Sequence, residues 1–205
     1  LVNNDSCKVN GQQVVMGDNT KGDKAYLQDL QGRYLAETSQ GHPNGLRSIS
    51  CTADGKLLVT VGDDGKIRLW DLQSQPLVQQ NRRLLHQVKV WAGEQNSLNI
   101  VQFSPDGMQL ATGRLDGTLR LWNLQGEPLA TWKTDRWITR VSFSPDGKLL
   151  ATTGDEGNPK LWRIESFYEL MEQGCDWVHD YLKNNPNVEK SDRHLCDEIK
   201  PLAFK

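Results

Sequence analysis

Residues 41–71, GHPNGLRSISCTADGKLLVTVGDDGKIRLWD, are the fullest copy of a unit that recurs along this chain. The segments KAYLQDL, KIRLWDL, TLRLWNL and PKLWRI align with one another, and their markers Gln28, Trp70, Trp122 and Trp162 stand 42, 52 and 40 residues apart. A period in this range is the signature of a repeat architecture, so it constrains the fold before composition is considered.

Each unit divides the same way. Thr52-Ala53-Asp54-Gly55, Ser104-Pro105-Asp106-Gly107 and Ser144-Pro145-Asp146-Gly147 have the chemistry of tight reversals. Before them lie LRSISC, LNIVQF and ITRVSF; after them lie KLLVTV, MQLATG and KLLATT, rich in the branched residues that suit strands. A second reversal, at Asp63-Asp64-Gly65 or its counterparts, leads to the Trp-bearing strand, and a fourth run follows, PLVQQ or PLATWK. The reading is four antiparallel strands per unit. Alternation places Ile67 and Leu69 on one face and Trp70 on the other, so both faces need a neighbouring sheet. The first unit is worn, with Gln28 in place of Trp and an enlarged turn, GDNTKGD. About ten extra residues lie within LVQQNRRLLHQVKVWAGEQNS, expected to form a longer outer strand or a protruding loop.

This pattern resembles the WD-repeat β-propeller family, whose GH and WD dipeptides match Gly41-His42 and Trp70-Asp71. The likeness spans about Val14 to Ile164. It implies an all-β fold of about four blades, near residues 14–40, 41–80, 95–133 and 134–164, that form part of a seven-bladed ring. A short α-helical tail, residues 165–205, follows the propeller portion 1–164. The resemblance also implies a hydrogen-bonded network of His, Ser/Thr, Asp and Trp within a blade. The second unit supplies His42, Thr60, Asp64 and Trp70. The third supplies Thr112, Asp116 and Trp122 without a His, and the fourth Thr152 and Trp162, with Glu156 in the Asp place.

Composition narrows the functional classes. With 24 Lys+Arg against 26 Asp+Glu, the chain lacks the basic excess of a nucleic-acid or anionic-membrane binder. No apolar run approaches a membrane span, and the first residues lack a signal-peptide pattern, so a soluble, cytoplasmic protein is expected. The chain begins at Leu1 rather than Met and is expected to be part of a longer product. Four scattered cysteines, Cys7, Cys51, Cys175 and Cys196, read as free thiols.

Catalysis has little support. No Ser or Cys sits in an activation motif, no phosphate-binding loop occurs, and the His42/Asp64 pair reads as a blade fastener rather than an acid–base couple. Cys175, His179, His194 and Cys196 lack common zinc spacings, and the Asp-Gly turns do not continue as calcium loops. No metal and no cofactor are expected. What remains is recognition of protein partners by loops on one rim. Those loops carry Asn44, Arg47, Asp63 and Arg114, and farther along Arg136, Trp137, Arg140 and Asp155; Arg and Trp are frequent interface anchors.

In the tail, ESFYELMEQGCDWVHDYLKNNPNV predicts two helices joined near Gly174, and Ser191-Asp192 a capped short helix. With so many aromatic residues, the tail is expected to dock on the propeller or on a partner. The segment GCDWVHDYLKNNPNVEKSDRHLCDEI resembles tails of bacterial, especially cyanobacterial, WD-repeat proteins. Many of these resemble signal-transducing NTPases with a C-terminal propeller sensor. The resemblance implies a non-catalytic interaction or sensing module. Its alternatives are the regulatory domain of an NTPase or protease whose catalytic part lies upstream of residue 1, and a structural scaffold, with self-association if the ring is incomplete.

Overall fold

The computed structural model describes residues 6–9, 12–16, 23–29, 31–73, 77–79, 82–92, 98–155, 158–165, 167–189 and 196. Two compact units divide the chain, residues 1–162 and 163–205.

The first unit is built of successive antiparallel sheets. The first sheet contains β1 (Ser6–Val9), β2 (Gln12–Met16), β3 (Ala25–Asp29) and β4 (Tyr34–Thr38). β5 (Leu46–Cys51), β6 (Leu57–Gly62) and β7 (Lys66–Asp71) begin the second. Its fourth strand is not the PLVQQ run. That run contributes β8 (Leu77–Gln79), which hairpins onto β9 (Arg82–Ala92), and β9 takes the outer position beside β7. The extra residues between the second and third units therefore become an 11-residue strand. Its last part pairs antiparallel with β7, while Leu84 and Leu85 pair in parallel with Glu37 and Thr38 of β4. One strand thus belongs to the edges of two sheets. The third sheet is regular: β10 (Ile100–Phe103), β11 (Gln109–Gly113), β12 (Thr118–Asn123) and β13 (Pro128–Lys133). The fourth has three strands among the described residues, β14 (Arg140–Phe143), β15 (Leu149–Thr153) and β16 (Lys160–Arg163).

The predicted alternation holds in space. Trp70 packs with Ala25, Leu27, Ala36 and Leu85 toward the first sheet, whereas Ile67 and Leu69 pack with Val101, Phe103, Leu110 and Trp122 toward the third. Burying a Leu, Ile or Phe side chain from water contributes roughly 1.5–3 kcal/mol, so these inter-sheet layers are the main cohesive term. Polar links add direction. The N–H edge of β10 that has no neighbouring strand is capped by the preceding sheet, Val101 N–H donating to Ser48 Oγ and Phe103 N–H to Ser50 Oγ at 3.3 and 3.1 Å. Unpaired strand-edge donors are costly to bury, and two serines of β5 satisfy these.

The turns also repeat. Ser104 Oγ accepts from the Gln109 amide and Asp106 Oδ1 from the Met108 amide, and Ser144 and Asp146 do the same for Leu149 and Lys148. Gly107 supplies the left-handed residue, φ 71°, that closes such a turn without a Cβ clash. The Asp of the Trp-Asp dipeptide is a turn residue as well: Asp71 Oδ1 accepts from Gln73 N–H at 2.7 Å, and Asn123 Oδ1 accepts from Gln125 and Glu127.

The second unit differs from two expectations. Its helix α1 (Phe167–Asn184) runs without interruption through Gly174, so there is one helix there rather than two. A single Gly costs a helix about 1 kcal/mol relative to Ala, too little to break an 18-residue segment that offers a partner for every interior amide. The cysteines are not free thiols. Cys175 of α1 is bonded to Cys196, 21 residues on, and Cys51 is also in a disulfide. The expected short helix near 193–199 lies outside the described residues except for Cys196, which is in a turn.

Candidate functional site

The second sheet brings together the four residues singled out in its sequence. β6 presents Thr60 and β7 presents Trp70 on the same face, because Thr60 pairs with Arg68 and Leu58 with Trp70. His42 enters from the loop before β5. Trp70 Nε1–H donates to Thr60 Oγ1 at 3.0 Å, and Thr60 Oγ1 lies 2.8 Å from His42 Nε2. His42 Nδ1 lies 2.7 Å from Asp64 Oδ1. One proton assignment satisfies all three contacts: the hydroxyl donates to Nε2, and Nδ1–H donates to the carboxylate.

Arg68 Nη1 stands 2.7 Å from Asp64 Oδ2 as an ion pair, and 2.9 Å from His42 Nδ1. Since Nδ1 carries a proton, two donors converge there on one carboxylate, and the attraction runs to Asp64. Burial lowers the pKa of His42 below its ordinary value despite the Asp64 hydrogen bond, and the nearby Arg68 charge acts in the same direction as burial. Burial by itself would raise the Asp64 carboxyl. Hydrogen bonds from His42 and Arg68 outweigh it and hold the group below the ordinary carboxylate range.

Gly62 makes room for this arrangement. A Cβ there would stand 2.3 Å from Gly45 O and 2.6 Å from His42 Cβ. With both ring nitrogens engaged and 1% of the residue exposed, His42 offers nothing to a substrate.

The third and fourth sheets hold parts of the same chain of contacts. Trp122 Nε1–H donates to Thr112 Oγ1 at 2.8 Å, and Trp162 Nε1–H to Thr152 Oγ1 at 2.9 Å. Asp116 accepts from Thr118 N–H and lies 3.2 Å from Arg114 Nη2; its carboxyl is depressed although burial opposes it. Glu156 and His194 lie outside the described residues. Among the described residues no cluster of three or more His, Cys, Asp or Glu could hold a metal, and the Cys175 and Cys196 sulfurs are spent on one another.

The rim residues separate into distinct environments. Arg47 Nε donates to Asp63 Oδ1 at 2.8 Å, a pair linking the start of β5 to the turn after β6. Asn44 holds φ 73° in the loop before β5. Arg114 does not belong on the exposed surface: it is buried, with its guanidinium folded onto Asp116. Arg136, Trp137, Arg140 and Asp155 are exposed, Trp137 by 58%. Beside them opens a cavity of about 170 Å³ whose walls include Thr134, Arg136, Trp137, Thr152, Gly154 and Lys160. A wider groove of about 520 Å³ lies at the opposite ends of the strands, between the Thr52-Asp54 and Pro105-Gly107 turns.

Sequence reading missed Ser48, Ser50 and Thr134. The serines left a faint signal, as small hydroxyl residues alternating in an otherwise apolar strand. Thr134 left one only in its register, four residues before Ile138 as His42 is four before Leu46.

The family model described as WD domain, G-beta repeat, matches residues 33–71, 85–123 and 126–163, more than half of the chain. This protein belongs to the WD-repeat family. Each matched segment begins on an outer strand and continues into the next sheet, as 33–71 takes in β4 and then β5 to β7. Sequence repeat and sheet are therefore out of phase, and every repeat stitches two sheets together. Among curated relatives, a guanine nucleotide-binding protein subunit beta-like protein of Encephalitozoon cuniculi is 24% identical over 127 residues, 58% of this chain and 34% of its own length. Protein groucho of Drosophila melanogaster is 31% identical over 93 residues, 45% of this chain and 11% of its own. WD repeat-containing protein 37 of Mus musculus is 29% identical over 137 residues, 65% and 25%. The chain spans about a third or less of the length of these relatives.

Proposed function

We propose that this chain is a non-catalytic recognition module of a larger signalling protein, and that the rim bearing Arg136, Trp137 and Arg140 takes up a protein segment. The observation that carries this reading is the exposed Trp137 between two exposed arginines at the mouth of a cavity. Trp and Arg are enriched among the residues that dominate interface energetics, so this combination suits an anchor point. The His42 cluster, by contrast, is inward-facing and serves the blade. Relatives that include subunits of guanine nucleotide-binding proteins and groucho agree with an interaction role.

The four sheets are read as an arc of a larger ring. Leu69 and Leu121, which precede the Trp of their strands, are 3% and 2% exposed, while Leu161 at the same place is 67% exposed. Leu149 is exposed on the same sheet. A further sheet from the parent protein would bury both, and a second copy of this chain is the competing cover. Sedimentation as a monomer at all concentrations excludes the second copy.

The rim reading is tested by the double substitution R136E/R140E. Affinity capture followed by mass spectrometry should lose, with unchanged melting temperature, the partners retained by the wild-type chain. W177A/Y181A, on exposed positions of α1, should retain them. The reverse result, capture insensitive to the rim and abolished by the helix variant, would establish a scaffold that binds through its tail.

A further inference from the structure

The cavity on the rim has a structural counterpart, and the counterpart is full. In the second sheet the backbone N–H of His42 donates to Asp23 O at 2.6 Å; in the fourth, the N–H of Thr134 donates to Gly117 O at 2.8 Å. Asp23 and Gly117 each stand five residues before the marker of the preceding unit, Gln28 and Trp122. Thr134 therefore occupies the backbone station of His42. Its side chain does something else. Thr134 Oγ1 turns away to the carbonyls of Gly117 and Arg136, where His42 projects its ring between Thr60 and Asp64.

The space that the imidazole fills in the second sheet is open in the fourth. It is the cavity of about 170 Å³ between Thr134 and Thr152, with Thr153, Gly154, Asn158 and Lys160 on its walls. Thr152 is 3% exposed, and its Oγ1 accepts the Trp162 indole proton as Thr60 accepts that of Trp70. The Thr60 hydroxyl donates a hydrogen bond to His42 Nε2, but the Thr152 hydroxyl has no acceptor among the described residues. A buried donor without a partner costs free energy, and an acceptor delivered into this cavity recovers it.

We propose that this cavity is a receptor for a neutral imidazole ring, the side chain of a histidine carried by a partner peptide. The second sheet displays the complementary geometry: a flat ring, one nitrogen lone pair on the threonine hydroxyl, and the indole donating from behind. A phenyl ring fits the shape but leaves the hydroxyl unsatisfied. An imidazolium has no lone pair to offer the hydroxyl, and among the described walls it would meet the cations Arg136 and Lys160 against the single carboxylate of Asp135. The cavity opens beside Trp137 and Arg136, so a peptide lying on the rim can insert one side chain. The source of the ring rests on the rim reading given above; the affinity of the cavity for the ring does not.

The experiment is a titration of N-acetyl-histidinamide into the chain, read at the Trp162 indole N–H by two-dimensional NMR. A saturable shift of that resonance is expected at pH 7.5. The affinity should weaken about tenfold per pH unit once the pH falls below the histidine pKa of roughly 6.5. Thr152→Val should weaken it at least tenfold. Thr134→His should raise the melting temperature and abolish the shift, because its own ring takes the place; this variant keeps Thr152 and guards against a misfolded valine variant. N-acetyl-phenylalaninamide should leave the resonance unmoved. The proposal is overturned by no saturable shift in the wild type, by equal shifts from both probes, or by undiminished binding in the Thr134→His variant. If the ring binds but R136E/R140E leaves partner capture intact, the receptor stands and the rim reading falls. If the ring fails while the charge reversal abolishes capture, the opposite holds.

Discussion

Replacing Trp70 by alanine should lower the unfolding free energy of the first unit by about 3–5 kcal/mol, the range for deleting a large buried aromatic side chain. Trp70 is fully buried between the first and second sheets, among Ala25, Leu27, Ala36, Leu58 and Leu85, and its indole is the terminal donor of the polar chain through Thr60. Trp122→Ala should cost a similar amount, since that ring is also enclosed between two sheets. Trp162→Ala should cost much less, because the fourth sheet exposes one face and Trp162 is only partly buried. Urea denaturation of the three variants measures the ordering directly. Equal losses would mean that the aromatic positions are energetically equivalent despite their different burial, and the account of inter-sheet cohesion would fail.

His42→Ala should cost about 1–3 kcal/mol at pH 7.5 by leaving Thr60 and Asp64 without their shared partner. Its pH dependence carries the sharper test. The folded state holds His42 neutral with a lowered pKa, so below the unfolded value of roughly 6.5 the unfolded chain binds a proton that the folded chain refuses. Stability therefore falls as the pH drops from about 6.5 toward the folded pKa. Asp64 acts in the same direction at lower pH: its folded pKa lies below the ordinary carboxylate value, and its contribution is lost as the pH falls through the folded pKa. The alanine variant should lose the first of these two slopes, and denaturation midpoints across pH 4–8 would show it. A wild-type midpoint that is flat or rises on acidification would contradict a neutral, buried imidazole.

Much of the fold was legible because the residues that close turns are chemically conspicuous. Asp54, Asp106 and Asp146 with their following glycines marked the reversals, and Trp70, Trp122 and Trp162 marked the strand whose indole meets a threonine ten residues back. Period-2 alternation then gave the two apolar faces. The outer strand of the second sheet was legible only in part: a longer outer strand was one of two expectations for the extra residues, but PLVQQ was read as the fourth strand. PLVQQ and the strand that displaces it are both plausible by composition, and the choice depends on pairing with β4 and β7. Arg114 illustrates the same limit: its place in the loop suggested the surface, but a neighbouring Asp116 allows the guanidinium to fold inward. The Cys175–Cys196 bond depends on a chain reversal that no local spacing encodes. In the candidate site, His42, Thr60, Asp64 and Trp70 could be found because each is a distinctive residue at a distinctive place. Thr134 could not, since its importance is that it is not a histidine.

The shared strand β9 has a consequence for how the molecule opens. Strand separation usually proceeds in cooperative blocks, and block boundaries follow the hydrogen-bonded ladders. Because β9 closes the edge of the second sheet and also bridges to β4, fraying it exposes amides of both sheets in one event. The third sheet, whose ladder is self-contained from β10 to β13, opens as a separate block. Amide exchange should therefore group Glu37, Thr38 and the residues of β7 into one isotherm, making β9 the clasp that turns two neighbouring blades into a single mechanical unit.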